Sequence, residues 1–105
     1  MYLIEDFKKN NSLERIVITQ HSRKRFEERG ISINDVCLAI ESGEIIEQYP
    51  DDYPFPSCLI LGKTKDKVIH IVASIDDGML YIITAYYPDS ERWEPDWKSR
   101  KEGLK

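Results

Sequence analysis

Two long runs of strand-forming residues, separated by a tight loop, constrain the fold of this chain more than any other feature. The runs are 67–75 and 79–87, and both are rich in valine, isoleucine and tyrosine. β-Branched and aromatic side chains favour strands. A loop as short as 76–78 joins antiparallel neighbours, because parallel strands need a long crossover connection. The sequence therefore predicts an antiparallel hairpin within the fold.

The loop between these runs decides their register. A two-residue turn pairs Asp76 with Met79. A three-residue loop that ends in a left-handed Gly78 pairs Ile75 with Met79 instead. We predict the three-residue loop, because Asp76 and Asp77 suit its right-handed turn positions and the two apolar runs then align without overhang.

The register also decides which polar side chains share a face of the sheet. The predicted three-residue loop sets His70 opposite Thr84. The two-residue turn would put His70 on the other face from Thr84 and Tyr86, because a slip of one residue turns every side chain over. We therefore expect a functional role for His70 only if it lies beside these two residues.

Two helices and two further strands precede the hairpin. Thr19 offers a hydroxyl N-cap for a helix that runs to about Arg29. A second helix, at about 33–42, carries an apolar stripe at helical spacing. Strand-like runs follow at 44–49 and 57–61. These patterns predict an α+β fold, with two N-terminal helices packed on one face of a roughly four-stranded antiparallel sheet.

A chain of 105 residues is the size of one domain. We divide it into an N-terminal extension (1–14), a helix-helix-sheet core (15–88) and a C-terminal tail (89–105). The start of the extension fits either a frayed terminus or a short helix, and an apolar run at 16–18 fits an edge strand. We expect the tryptophans of the tail, Trp93 and Trp97, to pack onto the sheet; the alternative is base stacking or contact with a partner.

The charge of the chain is acidic overall but unevenly distributed. Its 15 Lys and Arg against 19 Asp and Glu give a net charge of −4, which argues against broad, non-specific binding of nucleic acid. The segment 21–30 is nevertheless rich in cations, and 41–52 contains acids without Lys or Arg. The sequence fits either two solvated faces or a local cationic site on an acidic body.

No cofactor or metal is expected from the motifs present. Cys37 and Cys58 lack the spacing of a zinc or redox site and are predicted to be reduced, buried hydrophobic residues. No apolar stretch is long enough to span a membrane, and the first nine residues lack an apolar signal region. We therefore expect a cytoplasmic protein without a membrane partner.

Three polar residues of the first predicted helix recur every four positions. They are His21, Arg25 and Arg29, so they line one helical face. Arginine forks bind phosphate through two parallel hydrogen bonds. A histidine in the first helical turn is held neutral by the helix dipole and can act as a general base. These residues fit an anion-binding site; a solvent-exposed helix anchored by Phe26 is the alternative.

Six separated segments of the chain form a distinctive combination: HSRKRFEERGI at 21–31, GEIIEQYP at 43–50, SCLILG at 57–62, HIV at 70–72, ITAY at 83–86 and PD at 88–89. Together they resemble DUF4258, a family of small bacterial proteins of unknown function. The resemblance extends from about residue 18 to residue 97.

The resemblance implies a fold and a set of site residues. Members of this family resemble RelE-like toxins, of barnase–EndoU–colicin–RelE architecture, in having N-terminal helices before an antiparallel sheet. Their genes often neighbour a zinc-finger protein similar to the MqsA antitoxin, whose toxin MqsR is a RelE-like ribonuclease. The polar residues in the matching segments, taken as candidate catalytic residues, are His21, Arg25, Arg29, His70, Thr84 and Tyr86.

Two functions are compatible with these features. The first is a toxin-like, metal-independent endoribonuclease of a toxin–antitoxin pair, with RNA as its substrate. The second is a non-catalytic protein-binding module whose partner is a zinc-finger regulator. Convergence of the candidate residues in one cleft would favour the enzyme, and a scattered set would favour the binding module.

Overall fold

The computed structural model describes residues 1–101, which form three helices and one five-stranded sheet. The last four residues of the predicted tail lie outside the described residues. The helices are α1 (Ile4–Lys9), α2 (Gln20–Arg29) and α3 (Ile33–Glu41), and the strands are β1 (Ile16–Ile18), β2 (Glu44–Tyr49), β3 (Ser57–Thr64), β4 (Lys67–Asp76) and β5 (Met79–Tyr86).

The sheet is mixed, with the strand order β1-β5-β4-β3-β2. β1 runs parallel to β5, and the other neighbours are antiparallel. The predicted α+β class is confirmed, but the prediction of roughly four strands, all antiparallel, is wrong. The apolar run at 16–18, predicted to fit an edge strand, is β1 at one edge of the sheet, and its parallel pairing with β5 is what the prediction lacked.

Local capping explains where the two longer helices begin and end. The Thr19 hydroxyl oxygen accepts a hydrogen bond from the Ser22 backbone N–H, and Gly30 ends α2 with a left-handed φ of 70°. Ser32 and Asp35 form a reciprocal capping box at the start of α3. The boundaries of these helices were therefore predictable from the sequence.

One face of the sheet is covered by the helices. α3 lies so close to β3 that a Cβ at Gly62 would overlap with the Ala39 carbonyl oxygen. Phe7 of α1 is also fully buried in this core. The remaining large core side chains come from α2, α3 and the three central strands: Phe26, Val36, Ile40, Ile60, Ile69, Ile71, Leu80 and Ile82.

The opposite face of the sheet, which we call the tail face, carries the tail residues 89–101. Trp93 is only 4% exposed, so the expected packing of the tail is confirmed for this residue. Trp93 also forms an isolated antiparallel bridge with Arg100. Of the two cysteines, both free, Cys58 is buried as predicted, whereas Cys37 is only half-buried because it lies at the margin of the α3 stripe.

The β4–β5 turn differs from the predicted loop. Asp76 pairs with Met79, so the turn has two residues and the predicted pairing of Ile75 with Met79 is wrong. Asp77 and Gly78 both take positive φ, at 51° and 75°. This geometry is that of a type I′ turn, whose twist matches that of the strands it joins.

A β-bulge at Ile83 then shifts the register of the same two strands. Ala73 pairs with Ile82, whereas Val72 pairs with Thr84, so β5 contains one extra residue. The predicted pairing of His70 with Thr84 is therefore wrong, and His70 lies opposite Tyr86 instead. Because the bulge compensates for the shorter turn, all three side chains still project from the tail face.

Candidate functional site

A polar cluster lies on the tail face, where β4 and β5 pair. His70 and Tyr86 are direct cross-strand partners, and His70 Nδ1 is 3.3 Å from the Tyr86 hydroxyl oxygen. Their rings meet edge to face, with centroids 5.3 Å apart. The strand pairing thus holds these two side chains together without any contribution from a flexible loop.

The tail fixes the tautomer of His70. Its Nε2 is 2.8 Å from the Trp97 carbonyl oxygen, which can only accept, so this nitrogen carries the proton. Nδ1 then carries a lone pair and accepts from the Tyr86 hydroxyl. Trp93 covers the imidazole ring edge to face at 4.5 Å.

Burial favours the neutral form of His70. The side chain is fully buried, and this desolvation lowers its pKa although the Trp97 carbonyl and the charge of Glu47 act to raise it. The cation of Arg100 also acts to lower it. A neutral imidazole with an occupied Nε2 can receive a proton only at Nδ1, through Tyr86.

An ion pair between β2 and the tail closes the far side of the cluster. Arg100 donates from Nε and Nη2 to the two carboxylate oxygens of Glu47, at 3.1 and 3.0 Å, and its guanidinium lies 4.7 Å from the Trp93 ring centroid. Tyr49 donates its hydroxyl proton to the same carboxylate. Burial acts to raise the pKa of Glu47, but the hydrogen bonds from Arg100 and Tyr49 outweigh it and the pKa is lowered.

Arg29 reaches the cluster from α2. Its Nη1 donates to the Ala85 carbonyl oxygen at 2.8 Å and to the Thr84 hydroxyl at 3.2 Å. β1 pairs with β5 only as far as Ile82, so the Ala85 carbonyl lies beyond the end of that pairing. Arg29 therefore satisfies a backbone acceptor at the strand edge and brings a cation next to Thr84.

The surroundings of Tyr86 act on the pKa of its hydroxyl in opposite directions. Burial raises the pKa of its hydroxyl, while the cations of Arg100 and Arg29 act to lower it and Glu47 acts to raise it. Its side chain is only half-buried. Tyr86 is therefore the member of the His70 pair that an external molecule can reach.

The six predicted site residues fall into two groups. Arg29, His70, Thr84 and Tyr86 come together on the tail face or its edge. His21 and Arg25 are exposed on α2, where Arg25 Nε donates to His21 Nε2 at 3.3 Å. The helical spacing thus correctly predicted the proximity of His21 and Arg25, but only Arg29 extends to the strand cluster.

Four further residues of the cluster were missed by the sequence analysis: Glu47, Tyr49, Trp93 and Arg100. Glu47 and Tyr49 alternate along β2, which places both on the tail face and was a usable signal. The position of Arg100 depends on the path of the tail and has no local signature.

Within residues 1–101, no group of three or more His, Cys, Asp or Glu side chains is arranged to hold a metal ion. The same residues contain no helix that is long and apolar enough to cross a membrane.

Comparison with known proteins gave one match. Residues 18–87, two thirds of the chain, match the model of a family described as domain of unknown function DUF4258. The match includes α2, α3 and the whole β4–β5 pair. No curated protein and no solved structure matches this chain.

Proposed function

The chain belongs to the DUF4258 family, and we propose that it acts as a toxin-like endoribonuclease that cleaves RNA without a metal ion. The observation that supports this most directly is the Tyr86–His70 hydrogen bond, with the Arg29 guanidinium beside Thr84 on the same strand. RNA supplies its own nucleophile, the 2′-hydroxyl. The protein must therefore move protons and stabilise the charge that develops on phosphorus.

In this proposal Tyr86 and His70 form the base. The Tyr86 oxygen takes the proton of the 2′-hydroxyl while its own proton passes to His70 Nδ1. His70 becomes an imidazolium, which the Trp97 carbonyl and the negative charge of Glu47 stabilise. The 2′-oxygen attacks phosphorus, and a 2′,3′-cyclic phosphate forms as the bond to the 5′-oxygen breaks.

Arg29 stabilises the phosphate during this step. Its hydrogen bonds to described residues both start from Nη1, which leaves Nε and Nη2 to donate to a phosphate beside Thr84. A charge-assisted hydrogen bond of this kind contributes about 1.5–3 kcal/mol. In-line displacement puts the leaving oxygen on the side of phosphorus opposite the base. That oxygen takes its proton from solvent water, because His21 Nε2 accepts from Arg25 Nε and both side chains lie outside the strand cluster.

The proposal includes an architecture and a partner. Helices that precede a sheet built on the antiparallel β3–β4–β5 meander are in keeping with a RelE-like relation. A toxin of this kind requires an inhibitor, for which we propose a zinc-finger antitoxin, as the family resemblance implies. The net charge of −4 favours a substrate bound at one local cationic patch over broad contact with the ribosome.

A second candidate function is a non-catalytic module that binds a zinc-finger regulator. The observation that favours it is the complete burial of His70 beneath Trp93, which leaves Tyr86 as its only route to a substrate. The two functions differ in one respect that can be measured, namely whether the Tyr86 hydroxyl is needed for turnover.

The experiment is cleavage of a single-stranded RNA by the purified protein in the presence of EDTA. We expect products with 2′,3′-cyclic phosphate ends, and no cleavage of an oligonucleotide of the same sequence with 2′-deoxy sugars. Removal of the hydroxyl in Tyr86→Phe should lower the rate at least 100-fold, in the range of general base catalysis.

Tyr87→Phe is the matched control for this variant. Tyr87 is the next residue, is half-buried and packs against the helix-side core, so its hydroxyl is outside the proposed site. Its variant should cleave as the wild type does. Equal rates for wild type and Tyr86→Phe, or no cleavage by the folded wild type, would favour the binding module.

A further inference from the structure

We infer that a groove on the tail face, formed by the loop before β3 and the first half of β5, is a nucleobase subsite for single-stranded RNA. This inference rests on the proposed function and specifies how its substrate is held. The groove has a volume of about 500 Å³. Its lining includes Asp52, Tyr53, Phe55, Tyr81 and Ile83.

The groove offers flat aromatic surfaces. The rings of Phe55 and Tyr81 are stacked, with centroids 6.4 Å apart and an angle of 27° between their planes. Phe55 remains 41% exposed and Tyr53 is 94% exposed. A nucleobase can extend such a stack, since every base has a π-face, and single-stranded RNA is commonly bound on aromatic side chains.

The groove borders α2, a helix whose cations lie outside the groove itself. Thr19 and Ser22, at the start of α2, line it on one side. The segment 23–25, which directly follows Ser22 in the same helix, consists of three cations. A ligand that combines flat apolar rings with negative charge fits both surfaces, and a single-stranded nucleic acid has this chemistry.

The groove lies along the same strand, β5, as the proposed reaction site. Ile83 lines the groove, and the next residue is Thr84, beside Arg29. From Tyr81 to Tyr86 the strand rises by roughly 3.3 Å per residue, about 16 Å in all. A base in the groove would therefore belong to a nucleotide close to the scissile phosphate.

Asp52 is the charged residue among the groove-lining side chains, and its charge is the wrong sign for a phosphate. Its Oδ2 accepts a hydrogen bond from the Ser57 hydroxyl. The carboxylate can also accept from the amino and imino N–H groups at a base edge. We therefore place the base edge, and not the sugar-phosphate backbone, on the Asp52 side of the groove.

Binding of non-cleavable oligonucleotides tests this inference apart from catalysis. The probes are fluorescein-labelled 2′-O-methyl hexanucleotides, one with all six bases and a set in which each position in turn is abasic. Fluorescence anisotropy would give their affinities for wild type, Phe55→Leu and Phe55→Tyr. Phe55→Leu keeps apolar bulk but removes the ring, and Phe55→Tyr restores it. Circular dichroism melting would show that each variant is folded.

We expect one abasic position to weaken binding to wild type roughly tenfold, as the loss of one stacked base should. Phe55→Leu should bind the complete probe about as weakly as wild type binds that abasic probe, and the abasic position should cause no further loss of affinity in this variant. Phe55→Tyr should recover the affinity of the wild type for the complete probe. The inference is overturned if Phe55→Leu binds every probe as wild type does. It is equally overturned if Phe55→Leu no longer binds a protein partner but keeps the wild-type affinity for RNA.

The same measurements separate this inference from the proposed function. Base-dependent binding through Phe55 by a protein that never cleaves RNA would support the subsite and refute the ribonuclease. Cleavage that does not change in Phe55→Leu, together with unchanged affinity for the probes, would support the ribonuclease and refute the subsite.

Discussion

His70 and Tyr86 are direct partners across the β4–β5 pair, and their side chains form a hydrogen bond of 3.3 Å beneath the tail. This relationship depends on the bulge at Ile83. In a regular ladder that starts from the pairing of Asp76 with Met79, His70 would face Ala85, a helix-side core residue. The extra residue in β5 moves Tyr86 into line with His70 and so creates the cluster.

The buried imidazole should make the stability of the protein depend on pH. Burial lowers the pKa of His70 in the native chain below its ordinary value of 6.5. At a pH between the lowered pKa and 6.5, the imidazole therefore binds a proton in the unfolded chain but not in the native chain. The contribution of the neutral imidazole is therefore fully present above pH 6.5 and is lost as the pH falls toward the lowered pKa. Urea denaturation from pH 7.5 to 5 should show a declining free energy of unfolding.

His70→Gln is the control for this prediction. It cannot titrate, and its side-chain amide can still donate toward the Trp97 carbonyl. The decline between pH 6.5 and 5 should become shallower in this variant. Glu47 does not interfere, because its pKa is lowered from 4.5 and its own contribution is lost at more acidic pH. An unchanged slope in the variant would show that His70 is not the titrating group.

The β4–β5 turn should be sensitive to the residue at position 78. Gly78 has a φ of 75°, which costs a residue with a Cβ about 1–2 kcal/mol. An added Cβ would meet only the flexible guanidinium of Arg15, at 3.0 Å, so the cost is one of backbone conformation. Gly78→Ala should lower the free energy of unfolding by about that amount, and Gly78→Asn by less, because asparagine tolerates the left-handed region. Equal losses in the two variants would contradict this explanation.

The strands of this hairpin were predictable from the sequence, but their pairing register was not. The lengths and compositions of β4 and β5 were sufficient to predict an antiparallel pair. The turn type was not predictable in the same way, because Asp77 and Gly78 suit both a two-residue and a three-residue loop. The bulge at Ile83 had no local signal at all. Its contact with α2, where the Ser22 hydroxyl donates to the Ile83 carbonyl oxygen at 3.0 Å, joins residues far apart in the chain.

The candidate site was accessible to sequence reasoning only in part. The family segments identified four residues that lie together: Arg29, His70, Thr84 and Tyr86. Glu47 was not among the predicted site residues, and its partner Arg100 is 53 residues away in the chain. Contacts of this kind arise from the path of the tail over the sheet, which no periodicity in the sequence records.

The two cysteines should differ in reactivity toward a thiol reagent in the native protein. Cys58 is fully buried, and this burial raises the pKa of its thiol to about 12. Cys37 is half-buried, and burial raises its pKa as well. Because the thiolate is the reactive form, we expect slow labelling of Cys37 and labelling of Cys58 only after unfolding. Mass spectrometry of the labelled peptides would identify the site, and early labelling of Cys58 would contradict its position in the core.

Arg29 should contribute to stability as well as to function. In Arg29→Ala the carbonyl oxygen of Ala85, a fully buried residue, loses the donor that Arg29 supplies, which should cost about 1–3 kcal/mol. Arg25 lies one turn earlier in α2 and is exposed, so Arg25→Ala should change stability by no more than about 0.5 kcal/mol. Thermal or urea denaturation of both variants would show whether the two arginines differ in this way.

A third variant separates the structural role of Arg29 from its proposed role in catalysis. Arg29→Lys keeps a cation that can donate to the Ala85 carbonyl but lacks the planar fork that binds two phosphate oxygens. Its stability should be near that of the wild type, while RNA cleavage falls at least tenfold, as expected for one lost charge-assisted hydrogen bond. If Arg29→Lys cleaved RNA at the wild-type rate, the role of the guanidinium would be limited to its hydrogen bond with the Ala85 carbonyl oxygen at the strand edge. The phosphate would then have to be bound by other cations of α2.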